Sequence, residues 1–256
     1  MLTLKLLLMP ALIGIVTLVA RRWGTTVGGW IAGLPWVAGP ISVFLALEQG
    51  SPFAAQSAVQ ALAAVLGMLG FCRIYVAMAP RFSWPWCSLA GFAVYLGTAW
   101  MLSKIPLILA PVYAVVLLGV VLTLRSFPHP DAPPARPVPG FDLPLRMAVA
   151  TGFVIAVTKA AEWLGPAWSG LLTPFPIMTS ILAAFTHQQQ GWQASARILR
   201  ALLAAMFGFA TFLLVVAWWL PGHSLWATYS LAVGITIGVN AGVFWVMRRW
   251  PAALRL

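Results

Sequence analysis

Long apolar runs follow one another along almost the whole chain, and short polar or proline-containing segments separate them. A membrane-spanning helix needs about 20 mostly apolar residues. By that measure the pattern predicts nine spans, at residues 3–20, 26–48, 54–79, 84–102, 105–124, 144–165, 167–187, 194–220 and 225–247. The predicted fold class is therefore all-α, a polytopic membrane protein.

Glycine and proline interrupt the second and seventh predicted spans near their middles. The interrupting residues are Gly33, Pro35, Gly39, Pro40, Pro174 and Pro176. Proline removes a backbone donor and clashes with the preceding turn. Freed backbone groups are tolerated in a bilayer only where they are buried in protein or line a wet cavity. Two broken spans at corresponding positions indicate a transporter's binding site, and ordinary kinked helices are the alternative.

An internal repeat relates the two halves of the chain. When residues 17–80 are shifted by 141 positions onto 158–221, fifteen of sixty-four positions are identical without a gap. The matched pairs include Gly24/Gly165, Pro35/Pro176 and Gly50/Gly191. Because five spans precede the second copy, its helices cross the membrane in the opposite direction. The sequence therefore predicts two inverted-topology repeats with discontinuous helices 2 and 7.

These features predict a five-span N-terminal repeat at 1–124, a proline-rich cytoplasmic linker at 125–143 and a four-span C-terminal repeat at 144–256. With the N-terminus outside and the C-terminus in the cytoplasm, eleven arginines lie on the cytoplasmic side. The outside then receives chiefly Lys5 and Lys104. This distribution follows the positive-inside rule, which supports the orientation and the odd number of spans.

Composition narrows the class of protein further. The 256 residues are 62% hydrophobic and 7% charged, with a net charge of +11, whereas soluble domains carry about 25% charged residues. The basic residues cluster at the ends of apolar runs, so they indicate topology and contact with anionic lipids rather than nucleic acid. No Walker motif, catalytic constellation or metal-binding cluster is visible, and we expect no enzyme activity and no cofactor.

The candidate substrate-binding residues surround the two breaks and the inner mouth of the predicted cavity. They are Gly33, Pro35, Gly39, Pro40, Pro174, Pro176, Thr179, Ser180, Arg197, Arg200 and Asn240. Amides at the start of a half-helix favour anions. Arg197 and Arg200 share one helix face, which suits a carboxylate or phosphate. An ordinary basic flank of a span remains the alternative for these two arginines.

Three further charged residues are candidates for ion coupling. Glu48 is the only acidic residue beside a break, and Lys159 and Glu162 lie three residues apart within the sixth predicted span. An ionisable residue inside a span is costly enough to indicate function. Mutual neutralisation of Lys159 and Glu162, with the lysine reaching towards the interface, is the alternative.

The stretch PFPIMTSILAAFTHQQQG at 174–191, followed by Ala196-Arg197 and a long apolar helix, resembles the GlpM-like small bacterial inner-membrane proteins. The resemblance covers 158–220 and, through Pro35, extends weakly to 17–80. It implies two such units fused in opposite orientations and a location in the bacterial inner membrane. It implies no defined biochemical role.

The leading hypothesis is a small secondary transporter or permease with a central site between the two broken helices. Its solute would be anionic or amphiphilic and its other partners membrane lipids, with a homo-oligomer left open. A non-transporting membrane subunit or a lipid-handling protein of an envelope-polymer complex is the alternative, and a membrane enzyme comes third. A polar, hydrated cavity joining the breaks would favour transport, and breaks packed dry against side chains would favour a scaffold.

Overall fold

A computed structural model describes residues 2–36, 38–128, 141–164 and 175–249. Within these ranges the chain is helical and contains no β-strand, which confirms the predicted all-α class. The helices are α1 Leu2–Trp23, α2 Thr25–Ala32, α3 Ala38–Gln49, α4 Ser51–Met78, α5 Trp84–Leu102, α6 Leu109–Arg125, α7 Asp142–Leu164, α8 Ile177–Gln190, α9 Trp192–Trp219 and α10 Leu225–Arg249, with a 3₁₀ turn at Leu220–Gly222.

The boundaries of the helices recur at the spacing of the sequence repeat. After a shift of 141 positions, the last residues of α1 and α3 coincide with those of α7 and α8. Helices α4 and α9 coincide at both ends, and α5 and α10 coincide at their first residue. Helix α6 has no counterpart among the described helices. The order of α1, α3, α4 and α5 therefore matches that of α7–α10, whereas the positions equivalent to α2 lie outside the described ranges. Helix α6 lies between the two sets in the chain.

One glycine pair ends corresponding helices in the two halves. Gly50 precedes α4 with φ 88°, and Gly191 precedes α9 with φ 91°. This backbone region is open to glycine and strained for residues with a side chain. The chain can therefore leave α3 and enter α4, or leave α8 and enter α9, without an intervening loop.

The second predicted span is broken, because α2 ends at Ala32 and α3 begins at Ala38. The carbonyl freed at Ile31 accepts hydrogen bonds from the backbone N–H of Leu34 at 3.1 Å and the indole N–H of Trp36 at 3.0 Å. The connecting segment thus satisfies part of the freed backbone from its own residues.

In the second half, α8 begins at Ile177 directly after Pro176. The residues before Phe175, back to 165, lie outside the described ranges, and Pro174 is among them. The discontinuity of the seventh span therefore stays a prediction. Most of the predicted linker at 125–143 also lies outside the described ranges, although its last two residues belong to α7.

Helices α4 and α9 form the centre of the protein. They pack against each other, and α6 packs against both. Helix α9 also packs against α2 and α10, α4 packs against α5, and α1 packs against α7. In their most apolar segments α9 is 72% buried and α4 61%, whereas α10 is only 17% buried. The two central helices are repeat-equivalent, so the halves meet along matching surfaces.

Three helices within the described ranges are long and apolar enough to cross a membrane. They are α4, the run Trp192–Gly222 that contains α9, and Leu225–Met247 of α10. Helix α6 is apolar but shorter. Helices α2 and α3, with 8 and 12 residues, are each too short to span alone. The structure is thus consistent with membrane insertion, and nine spans with an inverted topology stay predictions.

Packing of α2 against α9 allows a specific test. A Cβ atom on Gly29 would lie 2.2 Å from the carbonyl oxygen of Ile198, which a backbone group cannot avoid by rotating. We therefore expect Gly29→Ala to lower the free energy of unfolding by about 2 kcal/mol, measured by thermal unfolding in detergent. Gly97→Ala is the matched control, because no atom lies within 4 Å of that Cβ position. Equal stability of the two variants would contradict the close approach of α2 to α9.

Candidate functional site

A cavity of about 110 Å³ lies between the broken second span and the start of α8. Helices α4 and α9 form its remaining walls. We call it the central cavity, and it is lined by Ala32, Gly33, Leu34, Trp36, Ala38, Ile41, Ala61, Ala64, Val65, Met68, Phe175, Pro176, Met178, Thr179, Leu202, Met206 and Phe209.

Both halves contribute equivalent positions to this lining. Five pairs of lining residues are related by the shift of 141, namely Leu34/Phe175, Ala38/Thr179, Ala61/Leu202, Val65/Met206 and Met68/Phe209. A cavity whose walls come in such pairs lies where the two halves face each other. The candidate site predicted from the sequence lies between the second and seventh spans, and a binding role for this cavity stays a prediction.

The surface of the central cavity is not polar, as it would be in a transporter for a compact ion. Its surface is almost entirely apolar, and Thr179, which is 3% exposed, supplies one of its few polar side chains. Its volume is also below the roughly 300–1,000 Å³ of typical ligand pockets. In this conformation the cavity therefore has room for a small apolar group rather than for a whole solute.

A second and larger space lies between α5, α7 and α8. It has a volume of about 450 Å³, within the range of typical ligand pockets. We call it the apolar groove, and it is lined by Trp84, Ser88, Phe92, Leu145, Val149, Phe153, Ser180, Ile181, Ala184, Phe185 and Gln188.

Aromatic rings separate the apolar groove from the central cavity. Phe175 lines the cavity, and its ring stacks on Phe92 of the groove with 5.2 Å between the ring centroids. Phe153 stacks on Phe175 at 6.5 Å, and Tyr95 meets it edge-on at 5.2 Å. The two spaces are therefore neighbours on opposite sides of one side chain.

An ionic cluster joins α1, α7 and α8. We use this name for Arg21, Asp142, Arg146 and Gln189. The Asp142 carboxylate accepts hydrogen bonds from Arg21 at 2.6 Å, from Nε of Arg146 at 2.9 Å and from the Gln189 amide. Arg146 also donates to the Gln189 side-chain oxygen at 3.1 Å. With two cations and one anion, the cluster carries a net charge of +1.

Burial shapes the electrostatics of this cluster. The side chain of Asp142 is fully buried, that of Arg146 is 4% exposed and that of Arg21 is 31% exposed. Burial alone would raise the pKa of the Asp142 carboxyl. The hydrogen bonds from Gln189, Arg146 and Arg21, together with the charge of Arg146, outweigh that effect and hold the pKa below its ordinary value. Asp142 is therefore a carboxylate that neutralises the arginines.

The four polar residues that end α8, His187 to Gln190, each contact a different part of the structure. His187 Nδ1 is hydrogen-bonded to the Tyr75 hydroxyl at 3.2 Å. Gln188 lines the apolar groove, and Gln189 belongs to the ionic cluster. Gln190 lines a space of about 20 Å³ beside the cluster. Successive residues of one helix end thus connect three neighbouring regions.

The structure brings several of the predicted substrate-binding residues together around the breaks. Gly33, Pro176 and Thr179 line the central cavity, and Ser180 lines the apolar groove. Pro35 lies in the break, where its carbonyl accepts a hydrogen bond at 2.9 Å from the N–H of Gly39, and Pro40 follows in the first turn of α3. These side chains surround the predicted position, but most contribute shape rather than polar contacts.

The predicted arginines lie elsewhere. Arg200 donates to the backbone carbonyls of Leu124 and Phe127 at 3.0 and 3.4 Å, which caps the carboxyl end of α6. Arg197 is half-buried on α9. Neither lines the central cavity. For Arg200 the contact indicates a structural role, and binding of an anion by either residue stays a prediction.

Asn240 is fully buried between α9 and α10, against the backbone of Gly208. Its amide has no hydrogen-bond partner among the described residues. Of the proposed coupling residues, Glu48 is exposed near the end of α3 and Lys159 is exposed on α7. The side chain of Glu162 lies outside the described part of the chain. Coupling therefore stays a prediction.

Sequence reasoning missed the ionic cluster. It placed Asp142 at the end of the linker and assigned Arg21 and Arg146 to topology. One signal was available, because Asp142 and Arg146 are four residues apart and share a helix face. In the described ranges no three His, Cys, Asp or Glu side chains are close enough to hold a metal ion.

Compared with known proteins, the chain matches no family model, no curated protein and no solved structure. The resemblance to the GlpM-like proteins therefore stays a prediction.

The ionic cluster predicts a pH-dependent stability. Asp142→Asn leaves two buried or half-buried arginines without their counter-charge, and we expect the free energy of unfolding to fall by about 3 kcal/mol at neutral pH. Glu48→Gln, which removes an exposed carboxylate, is the matched control and should change it by under about 0.5 kcal/mol.

The sign of the pH effect follows from the lowered pKa. A depressed pKa stabilises the fold above the ordinary aspartate value of about 3.9, and the effect disappears as the pH falls through the folded-state value. The difference between wild type and Asp142→Asn should therefore shrink below about pH 4 in thermal unfolding measured across pH. A difference that is the same at all pH values would contradict a charged, neutralising Asp142.

Proposed function

We propose that the protein is a small secondary permease whose solute passes through the central cavity. One observation carries the proposal, namely that repeat-equivalent residues of both halves line this cavity. A transporter built from inverted repeats places its solute site at the interface of the repeats, next to discontinuous helices. The broken second span and the start of α8 at Pro176 lie at that interface.

The proposed topology has nine spans in two inverted repeats in a bacterial inner membrane, with the N-terminus outside. Helix α6, which has no counterpart among the described helices, is the fifth and extra span in this proposal, and its presence reverses the direction of the second set. Its packing against both α4 and α9 supports a position between the halves. In this arrangement Gly50 lies outside and Gly191 inside.

The lining of the cavity favours an amphiphilic solute over a compact anion. An anion in an apolar cavity loses its hydration without gaining partners, which costs several kcal/mol. An apolar chain or ring loses nothing on entering the same space. We therefore take the amphiphilic member of the two solute classes that the sequence left open.

Alternating access would come from a movement of one repeat against the other. In this proposal the cavity of about 110 Å³ widens as the halves move, and the short helices beside the break between α2 and α3 and beside the predicted break before Ile177 tilt. The α4–α9 contact supplies the surface on which the halves rock. The solute then passes the rings of Phe175 and Phe92.

A lipid-handling protein is the second candidate. The observation that favours it is the apolar groove, which is about four times the volume of the central cavity. A protein that only holds a lipid needs the groove but no continuous path through the central cavity. Access of water to the central cavity separates these two functions.

Labelling of introduced cysteines tests the proposed path. In a protein without Cys72 and Cys87, we expect single cysteines at Ala38 and Thr179 to react with a small membrane-impermeant thiol reagent in vesicles of both orientations. Alternating access predicts reaction from either side, because the cavity opens to each in turn.

Two further single-cysteine positions serve as controls, one accessible and one buried. Ser103 is exposed beside α5 and should react from one side only, and Ala63 is fully buried and should not react. If Ala38 and Thr179 stay unlabelled from both sides while Ser103 reacts, the permease proposal fails and a holding function remains.

A further inference from the structure

The apolar groove has the size and surface of a site for a single hydrocarbon chain. Its lining is almost entirely apolar, and its volume is about 450 Å³. A volume of this size lies within the range of typical ligand pockets, which hold one ligand of moderate size.

A difference between the two halves affects the space at the groove. The shift of 141 relates Ser88 on α5 to Tyr229 on α10. Tyr229 is buried, and its hydroxyl is hydrogen-bonded to Ser42 of α3 at 2.6 Å. Where α10 carries a tyrosine that contacts the neighbouring half-helix, α5 carries a serine beside α8. A tyrosine at position 88 would therefore reduce the space beside Ser88.

One end of the groove lies beside a buried arginine and the first turns of two helices. Trp84 and Leu145 of the lining lie in the first turns of α5 and α7, and helix N-termini favour anions. The Arg146 guanidinium lies 4.9 Å from the ring centre of Phe185, another lining residue. Arg146 belongs to the ionic cluster with its net charge of +1. Gln188, exposed at this end, can donate a hydrogen bond to an anionic group.

The opposite end of the groove is closed by aromatic rings. Phe92 and Phe153 line it with their ring centroids 5.7 Å apart, and Phe175 lies behind them. A chain entering from the end beside Arg146 would therefore end against these rings, next to the central cavity. The groove combines a mouth beside Gln188 and Arg146 with an apolar interior, and these correspond to the polar group and the hydrocarbon chain of an amphiphile.

From these observations we infer that the apolar groove binds a single-chain anionic amphiphile, such as a fatty carboxylate, drawn from the bilayer. The chain lies between α5, α7 and α8, and the anionic group lies near Gln188 and the ionic cluster. This inference rests on the proposed function, for which it names the class of solute and a binding position beside the central cavity.

Photo-crosslinking in reconstituted vesicles tests the inference. The probes are a photoactivatable long-chain fatty acid and the alcohol of the same chain length. In the wild-type protein, we expect crosslinks of the fatty acid to map to groove residues of α5, α7 and α8. Ser88→Tyr and Ala184→Phe fill the groove and should reduce this labelling about tenfold, equivalent to the loss of one well-bound apolar group.

Matched variants separate the groove from general membrane contact. Leu89→Tyr places the same ring on the adjacent residue, which is 58% exposed, and should label like the wild type. Gln188→Glu adds a negative charge at the mouth and should weaken labelling by the fatty acid severalfold while leaving labelling by the alcohol unchanged.

Two outcomes would overturn the inference. Labelling of both groove-filling variants at the level of Leu89→Tyr would show that the chain does not lie in the groove. Equal labelling by the two probes in Gln188→Glu would show that no anionic group is held at the mouth. Neither outcome depends on whether water reaches Ala38 and Thr179, so failure here is distinct from failure of the permease proposal.

Discussion

The rest of the structure depends on how the freed backbone at the helix breaks is satisfied without water. Between α2 and α3, the Ile31 carbonyl is bonded by Leu34 and Trp36, and the Pro35 carbonyl by Gly39. At the start of α8, the Pro176 carbonyl accepts the N–H of Ser180 at 2.8 Å, which is the first bond of that helix. Because Leu34 and Trp36 hydrogen-bond the freed Ile31 carbonyl, the break in the second span can lie in an apolar environment. The central cavity beside this break has a mostly apolar surface.

Charge and apolar surface are consequently separated in space. The buried charges lie in the ionic cluster at one end of α7 and α8, where three side chains surround the Asp142 carboxylate. The central cavity and the apolar groove contain almost no polar surface. A buried cluster of this kind is stable only when it is fully hydrogen-bonded. It therefore fixes α1, α7 and α8 relative to one another and places a cationic surface beside the groove.

Much of the fold was predictable because the length of an apolar run indicates a span, and proline and glycine indicate where a helix is interrupted. The spans predicted at 54–79 and 225–247 correspond to α4 and α10 within a few residues, and the break at Pro35 was located correctly. The contacts of polar side chains were not predictable. Arg200 caps a helix end 76 residues away in the sequence. Asp142 follows a proline-rich stretch, which is typical of a solvent-exposed carboxylate, and only the packing of α1 and α8 buries it. The apolar lining of the cavity was equally invisible, because sequence shows which residues lie near a break but not which side chains face inward.

Comparison of residues related by the shift of 141 shows which positions are constrained by backbone conformation or packing and which line a cavity. Where the backbone needs a special conformation, the pair is unchanged, as in Gly50 and Gly191. Where helices pack tightly, Gly67 faces Tyr95 and its equivalent Gly208 faces Asn240, so a small residue persists although its partner changes. The pairs that line the central cavity do change, as in Leu34 and Phe175 or Ala61 and Leu202. The two halves therefore keep the same residue where the backbone or the packing requires it, but their side chains give the two walls of the cavity different shapes. A site at the interface of two repeats needs this asymmetry if it is to hold a solute that is not itself symmetric.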